Sequence, residues 1–342
     1  MKRYLAGAAL CGALAMFAGS AYAQGTGSKT IDDIKARGQL ICGVSTGVAG
    51  FSLPDSQGVM RGIDADTCRA VAAAILGDGN KIRFVPTTTT NRFTALQSGE
   101  IDLLVRSTTW TLGREANLGL EFAGVNFYDG TGFMVNKSLG VDSVKKLDGA
   151  TICVQPGTST ELAIADYFRQ NKLKFQPILI QDLSEIQNTF LSGRCDAYST
   201  DMSGLAAFRF LQGPKASDYI LLPEVISKEP LGLMVRKGDD KFFDLVRWTF
   251  IVLLQAEESG VNQANVEQMA GSSTNPDIRR MLGAEGDLGK AMGVDNKFVV
   301  NILKSVGNYG EIWERNITPL GIPRGLNNLW NKGGLQYPPP MR

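Results

Sequence analysis

The 342-residue sequence predicts an α/β protein folded as two similar lobes facing each other across a cleft. Three observations lead there. Strand-like and helix-like patterns alternate along the chain, the order in which sheets are covered by helices. The alternation runs twice. The two runs also share a phrase, Leu96-Gln-Ser-Gly-Glu-Ile-Asp102 and Phe190-Leu-Ser-Gly-Arg-Cys-Asp196, in which a helix stops at glycine and the chain reopens as a strand.

The start is basic (Lys2, Arg3), residues 5–19 are small and apolar, and Ala21-Tyr22-Ala23 fits the small-residue cleavage rule, so 1–23 reads as a signal peptide. Cys11 suggests a lipid anchor instead, but Leu10 before it is bulkier than such processing prefers and cleavage there would cut the apolar run short. Removing 23 of 342 residues leaves 319, and losing Lys2 and Arg3 moves the net charge from +1 to −1. That length calls for two domains or lobes. The near-neutral charge lacks the basic stripe of a nucleic-acid binder, so no nucleic-acid partner is expected. After residue 23 the strongest apolar run, 248–254, is far short of the roughly 20 residues of a membrane helix, so the mature chain is expected to be soluble.

The first run places strands at 39–44, 81–87 and 101–106 and helices at 64–76 and 91–97. The second places strands at 151–155, 175–181 and 195–200 and helices at 159–169 and 184–191. Polar residues follow the last strand of each run: Ser107-Thr-Thr109, then Ser199-Thr-Asp201. Ligands of α/β sheets sit beyond the carboxyl ends of strands, so two lobes with those ends inward make a cleft with these residues on its walls.

Without Cys11 four cysteines remain, an even number that favours disulfides in an exported chain. Three pairings are possible, and pairing within lobes, Cys42 with Cys68 and Cys153 with Cys195, is the expectation. Nothing suggests a metal or another cofactor. The chain has no histidine, which removes the commonest general base and metal ligand and the Ser-His-Asp and Cys-His mechanisms. A binding protein is expected rather than an enzyme.

Among the candidate ligand groups, Arg114 offers a planar fork for a carboxylate, with Ser107 and Thr109 beside it. Thr158 and Ser159 open a helix whose free amides favour an anion; capping alone is the stronger explanation for them, and the two roles can coexist. Asp201 suits an ammonium, or caps the helix that follows it. A guanidinium on one lobe and a carboxylate on the other match a zwitterion, the signature of a free α-amino acid.

At these residues the chain resembles the amino-acid-binding proteins of ABC transporters, solute-binding protein family 3, in the branch of general L-amino acid-binding periplasmic proteins. The phrases are Gly62-Ile-Asp-Ala-Asp-Thr-Cys-Arg-Ala-Val-Ala-Ala-Ala-Ile-Leu-Gly-Asp78, Thr108-Thr-Trp-Thr-x-x-Arg114, Ser227-Lys-Glu-Pro230, Val306-Gly-Asn-Tyr-Gly-Glu311 and Arg324-Gly-Leu-Asn-Asn-Leu-Trp330. The resemblance implies a two-lobed periplasmic binding protein-like fold with a hinge between lobes and the ligand in the interlobe cleft. It places the α-carboxylate on Arg114 and the neighbourhoods of Thr109 and Ser159, and the α-ammonium on Asp201 and Ser107. Ser45 matches a position often acidic in binders of cationic ligands, and its neutrality argues against strict Lys or Arg specificity. Ala65 and Thr67 depart from the larger aliphatics of the broad family.

Lobe 1 is expected over 24–129, lobe 2 over 130–231, and 232–342 as a return to lobe 1 with a C-terminal helical extension. The crossings fall near Phe127-Tyr-Asp-Gly130 and Glu229-Pro-Leu-Gly232, with glycines easing the hinge. The implied partners are a free L-amino acid and a membrane permease, for a monomer in the periplasm. Two alternatives stand beside this. One is a dehydratase-type enzyme for small carboxylates on the same scaffold, resting on Asp201, Glu161 or a lysine. The other is a ligand sensor detached from its signalling machinery.

Overall fold

All five residues of the first strand, β1 (Leu40–Val44), are buried, which asks for a sheet covered on both faces. The computed structural model supplies one and describes residues 25–342; the leader 1–23 and Cys11 lie outside the described residues. A small hairpin, β2 (Leu53–Pro54) with β3 (Met60–Arg61), precedes β4 (Ile82–Pro86), β5 (Leu103–Thr109) and β6 (Leu120–Asp129). Next come β7 (Thr131–Asn136), β8 (Thr151–Val154), β9 (Gln176–Leu179), β10 (Ala197–Asp201), β11 (Tyr219–Leu221) and β12 (Glu229–Arg236).

These strands form two five-stranded sheets, ordered β4-β1-β5-β12-β6 and β11-β7-β10-β8-β9. Each has three parallel strands in the same relative order, with the first strand of its run in the middle and the third beside an antiparallel neighbour, β12 or β7. The shared sequence phrase therefore marks a shared topology. The chain leaves the first sheet after β6 and returns as β12, and these two strands pair with each other, Glu229 opposite Asp129 and Pro230 opposite Tyr128.

Sequence periodicity places the last strand of the first run at 101–106, yet β5 runs on to Thr109. The difference comes from β12, which arrives from more than a hundred residues away and pairs with Thr108 and Thr109. Local pattern carries no trace of that partner. Gly130 and Gly232 meet a packing need: a Cβ at the first would lie 2.2 Å from Val225 Cγ1, and at the second 2.4 Å from the Gly124 carbonyl oxygen.

Both disulfides form within lobes. Cys42–Cys68 ties β1 to the helix Ile63–Leu76, and Cys153–Cys195 ties β8 to the turn before β10. The first lobe's core extends into the C-terminal segment, where helix Phe298–Val306 packs on helix Ile63–Leu76 and Trp313 stacks on Phe127, ring centroids 5.3 Å apart. Among the described residues no helix is long and apolar enough to cross a membrane.

The C-terminal segment also satisfies the edge of the first sheet. Strand β6 is an edge strand, whose outward backbone groups lack a neighbouring strand. Gln336 Nε2 donates to the Val125 carbonyl (3.0 Å) and Tyr309 Oη to that of Asn126 (2.9 Å). The Asn327 amide accepts from Tyr128 N–H (2.7 Å) and donates to Tyr128 C=O (3.0 Å), as a neighbouring strand would. Asn327→Ala should therefore leave two partly buried backbone groups unpaired and cost about 1–3 kcal/mol. The measurement is the denaturant midpoint, and a change under about 0.5 kcal/mol would mean that water replaces the amide without loss.

Candidate functional site

The geometry of the cleft starts from a bulge in β5. Val105 pairs with Leu233 and Thr108 with Gly232, so Arg106 and Ser107 are extra residues that turn the strand. Ser107 adopts φ 40, a left-handed conformation uncommon outside glycine. Asp64, in the first turn of its helix, holds it there, accepting from the Ser107 N–H (3.0 Å) and hydroxyl (3.3 Å). Its other oxygen accepts from Asn126 Nδ2 (2.8 Å). Burial pushes the Asp64 carboxyl up to about 6, against the downward pull of these three donors.

On the facing lobe, Thr158 caps helix Ser159–Gln170 by accepting from Glu161 N–H (3.1 Å). Ser159 is thereby free to turn its hydroxyl across the gap, where it lies 3.0 Å from Thr109 Oγ1. Capping and cleft-lining thus fall to neighbouring residues. Asp201 ends β10 directly before helix Met202–Leu211, but its side chain makes no capping bond. That bond comes from Asp129, which accepts from Ser203 N–H (3.2 Å). The Asp201 carboxylate is left to face the cavity.

A cavity of ≈ 790 Å³, its open mouth included, lies between the lobes. Ser45, Ser107, Thr109, Thr158, Ser159 and Asp201 all line it. Arg114 is outside that lining: its Nη1 donates to the Thr109 carbonyl (2.7 Å), and its guanidinium carbon lies 5.2 Å from the centre of the Phe93 ring. Two other arginines line the cavity, Arg92 and Arg106.

Glu229, at the start of β12, is buried and accepts from four hydroxyls: Thr109 and Ser159 on one oxygen, Ser227 and Thr131 on the other. Thr109 belongs to the first sheet, Thr131 and Ser159 to the second lobe. The structure is therefore a closed form, with the lobes joined through one carboxylate. Gln181 Nε2 donating to Thr88 Oγ1 (3.0 Å) adds a second link across the gap.

These charges perturb one another. Burial raises the Asp201 carboxyl well above the ordinary range, and the neighbouring Asp129 and Glu229 push the same way, while Arg92 and Arg114 oppose. Asp129 is pushed up to about 6, chiefly by burial.

Sequence reasoning gave Arg92 and Arg106 no place in the site, and Asp64 and Glu229 figured only inside longer phrases. One signal for Arg92 was available: it shares a helical face with Ala95 and Leu96, an apolar stripe on which a charge is out of place. The Asp64–Ser107 pairing, between groups 43 residues apart, left no such sign.

The model for bacterial extracellular solute-binding proteins, family 3, matches residues 40–264. The glutamate/glutamine/aspartate/asparagine-binding protein BztA of Rhodobacter capsulatus is 54% identical over 331 residues, covering 96% of each chain. The general L-amino acid-binding periplasmic protein AapJ of Rhizobium johnstonii is 52% identical over 348 aligned positions, covering both chains in full. Among solved structures, an ABC transporter periplasmic binding protein from Brucella ovis with glutathione bound matches at a TM-score of 0.88 and 55% identity, over 92% of this chain and 99% of that one.

Glu229→Ala should release all four hydroxyls and weaken the closed form by about 1–3 kcal/mol, the scale for unpairing buried groups around a charge. Small-angle X-ray scattering of ligand-stripped protein should show a larger radius of gyration in the variant. Identical scattering from variant and wild type would mean that closure is held elsewhere.

Proposed function

The chain belongs to family 3 of the bacterial extracellular solute-binding proteins, and on that premise we propose that it captures free L-amino acids of several kinds and delivers them to the membrane permease of an ABC transporter. It acts as a carrier, not as an enzyme, and as a monomer in the periplasm, exported by residues 1–23. It needs no cofactor, and its partners are the amino acid and the permease, not nucleic acid.

The observation that carries this reading is the Asp201 carboxylate, half-buried at the cavity wall without a capping bond and opposed by guanidinium groups of the other lobe. That arrangement matches a zwitterion. The ammonium sits on Asp201 with help from Ser107. The α-carboxylate takes the free amides at the start of helix Ser159–Gln170, beside Thr109 and Ser159, and Arg114 joins it by turning in from the Thr109 carbonyl on which it rests beside the cavity. Ser45, being neutral, offers a cationic side chain no counter-charge. Closure buries opposite charges as pairs, which limits their desolvation cost.

Binding should depend on pH. An ammonium favours the ionised form of Asp201, whose carboxyl lies well above its usual range in the unliganded cleft. Wherever that carboxyl is still protonated, binding must expel the proton. Affinity is therefore expected to rise with pH until the unliganded carboxyl has ionised, and to be level above that point. Asp201→Asn should abolish the slope and weaken binding by roughly 2–5 kcal/mol. Titration calorimetry of ligand-stripped protein across pH checks this, and an unaltered profile in the variant would place the ammonium elsewhere.

The carboxylate contact is tested separately. Arg114→Lys keeps the charge but loses the planar fork, and affinity for every amino acid should fall by about tenfold or more. Carboxamide analogues should bind wild type far more weakly than the free acids. If the variant and the analogues both bind normally, Arg114 does not hold the carboxylate. Consumption of ligand on long incubation would overturn the carrier reading in favour of a catalyst.

A further inference from the structure

We propose that the part of the cleft not used by the amino and carboxyl groups of the ligand is a cationic chamber built by Arg92 and Arg106, which favours amino acids whose side chain carries a carboxylate or carboxamide. This rests on the amino-acid reading above and narrows it.

The case begins with two half-buried arginines. Arg324 pairs with Glu257 (3.1 Å) and Arg69 with Asp66 (3.1 Å). Arg92 and Arg106 are more deeply buried than these, at 2% and 7% exposure, and both line the cavity. Neither forms an ion pair among the described residues. Arg106 makes one side-chain hydrogen bond, from Nε to the Thr87 carbonyl (3.0 Å), and Arg92 makes none. The Nε of Arg92 is buried without a partner. So is the hydroxyl of Thr89, in the turn that leads into the same helix and also on the cavity lining. Two buried donors without a protein partner on one cavity wall suit a ligand that brings an acceptor.

The charge balance points the same way. Burial lowers Arg92 well below its ordinary pKa, and the neighbouring Arg106 and Arg114 charges add to the shift; burial takes Arg106 down to about 10. The cavity lining thus carries two cations against one anion, Asp201. A zwitterion meets Asp201 with its ammonium and Arg114 and the helix amides with its carboxylate. Two buried guanidiniums then remain. An apolar side chain would leave them unpaired, and a cationic one would repel them. A carbonyl or carboxylate oxygen supplies what both lack.

The test is calorimetric titration of ligand-stripped, disulfide-intact protein with L-glutamate, L-glutamine, L-norleucine and L-lysine. Norleucine has an unbranched apolar side chain of similar length. Wild type should bind glutamate and glutamine at least about tenfold more tightly than norleucine, the scale of one hydrogen bond to a charged group, and lysine most weakly. Arg92→Met should remove most of that preference, lowering glutamate affinity by about tenfold or more while norleucine stays within about threefold. Arg92→Lys should recover part of it, because a charge is restored without the fork.

Equal wild-type affinity for norleucine and glutamate would overturn the proposal, as would an Arg92→Met variant that weakens all ligands alike. The wild-type ratio decides alone if the variant folds poorly. No binding of any of the four would instead overturn the amino-acid reading itself, and the chamber with it.

Discussion

A carboxylate buried between two domains is stable only if donors surround it, and the donors around Glu229 come from both lobes. Thr109 approaches from the bulged strand, Thr131 from the first strand beyond the crossing, Ser159 from the opening of a helix, and Ser227 from two residues away. Each hydroxyl satisfied there fixes the backbone that carries it. The position of Ser159 sets where its helix amides point, and that of Thr109 sets the carbonyl on which Arg114 rests. The site is thus assembled around an acid that is not itself on the cavity wall.

Around that acid the protein separates two tasks that a shorter constellation would force together. Asp129 takes the capping duty at the start of helix Met202–Leu211, which frees Asp201. Thr158 does the same for Ser159. In each case a neighbour completes the start of the helix, so the residue facing the cleft is not tied up in capping: Asp201 faces the cavity, and Ser159 turns to Glu229. Asp64 plays a related part by holding Ser107 in a backbone conformation it would not adopt unaided.

Much of the fold was legible because it is written locally. Alternating strand and helix periods, glycine stops and the repeated phrase point to two α/β units, and pairing the even number of cysteines within lobes matches the two bridges that form. Six of the seven expected ligand residues line one cavity for the same reason: they lie at or near strand ends, and strand ends are readable. What escaped was set by distant partners. The extension of β5 to Thr109 needs β12, the strained turn at Ser107 needs Asp64, and the role of Glu229 needs three segments at once. Arg114 was legible as a guanidinium near the cleft but not as one resting on a carbonyl beside the cavity, because a side chain's direction depends on what it packs against, here Phe93.

The side chains that close the edge of β6 have a consequence for the order in which the molecule assembles. The strands of the second sheet, residues 131–221, are contiguous, so that sheet has all its strands as soon as they have emerged. The first sheet has to wait for β12, and its edge waits longer still, since Asn327 and Gln336 lie close to the end of the chain. Until they arrive, β6 presents unpaired backbone groups and apolar residues, the combination that templates pairing with another molecule. The second sheet is complete early, and the period of vulnerability during biogenesis belongs to the lobe that begins first and finishes last.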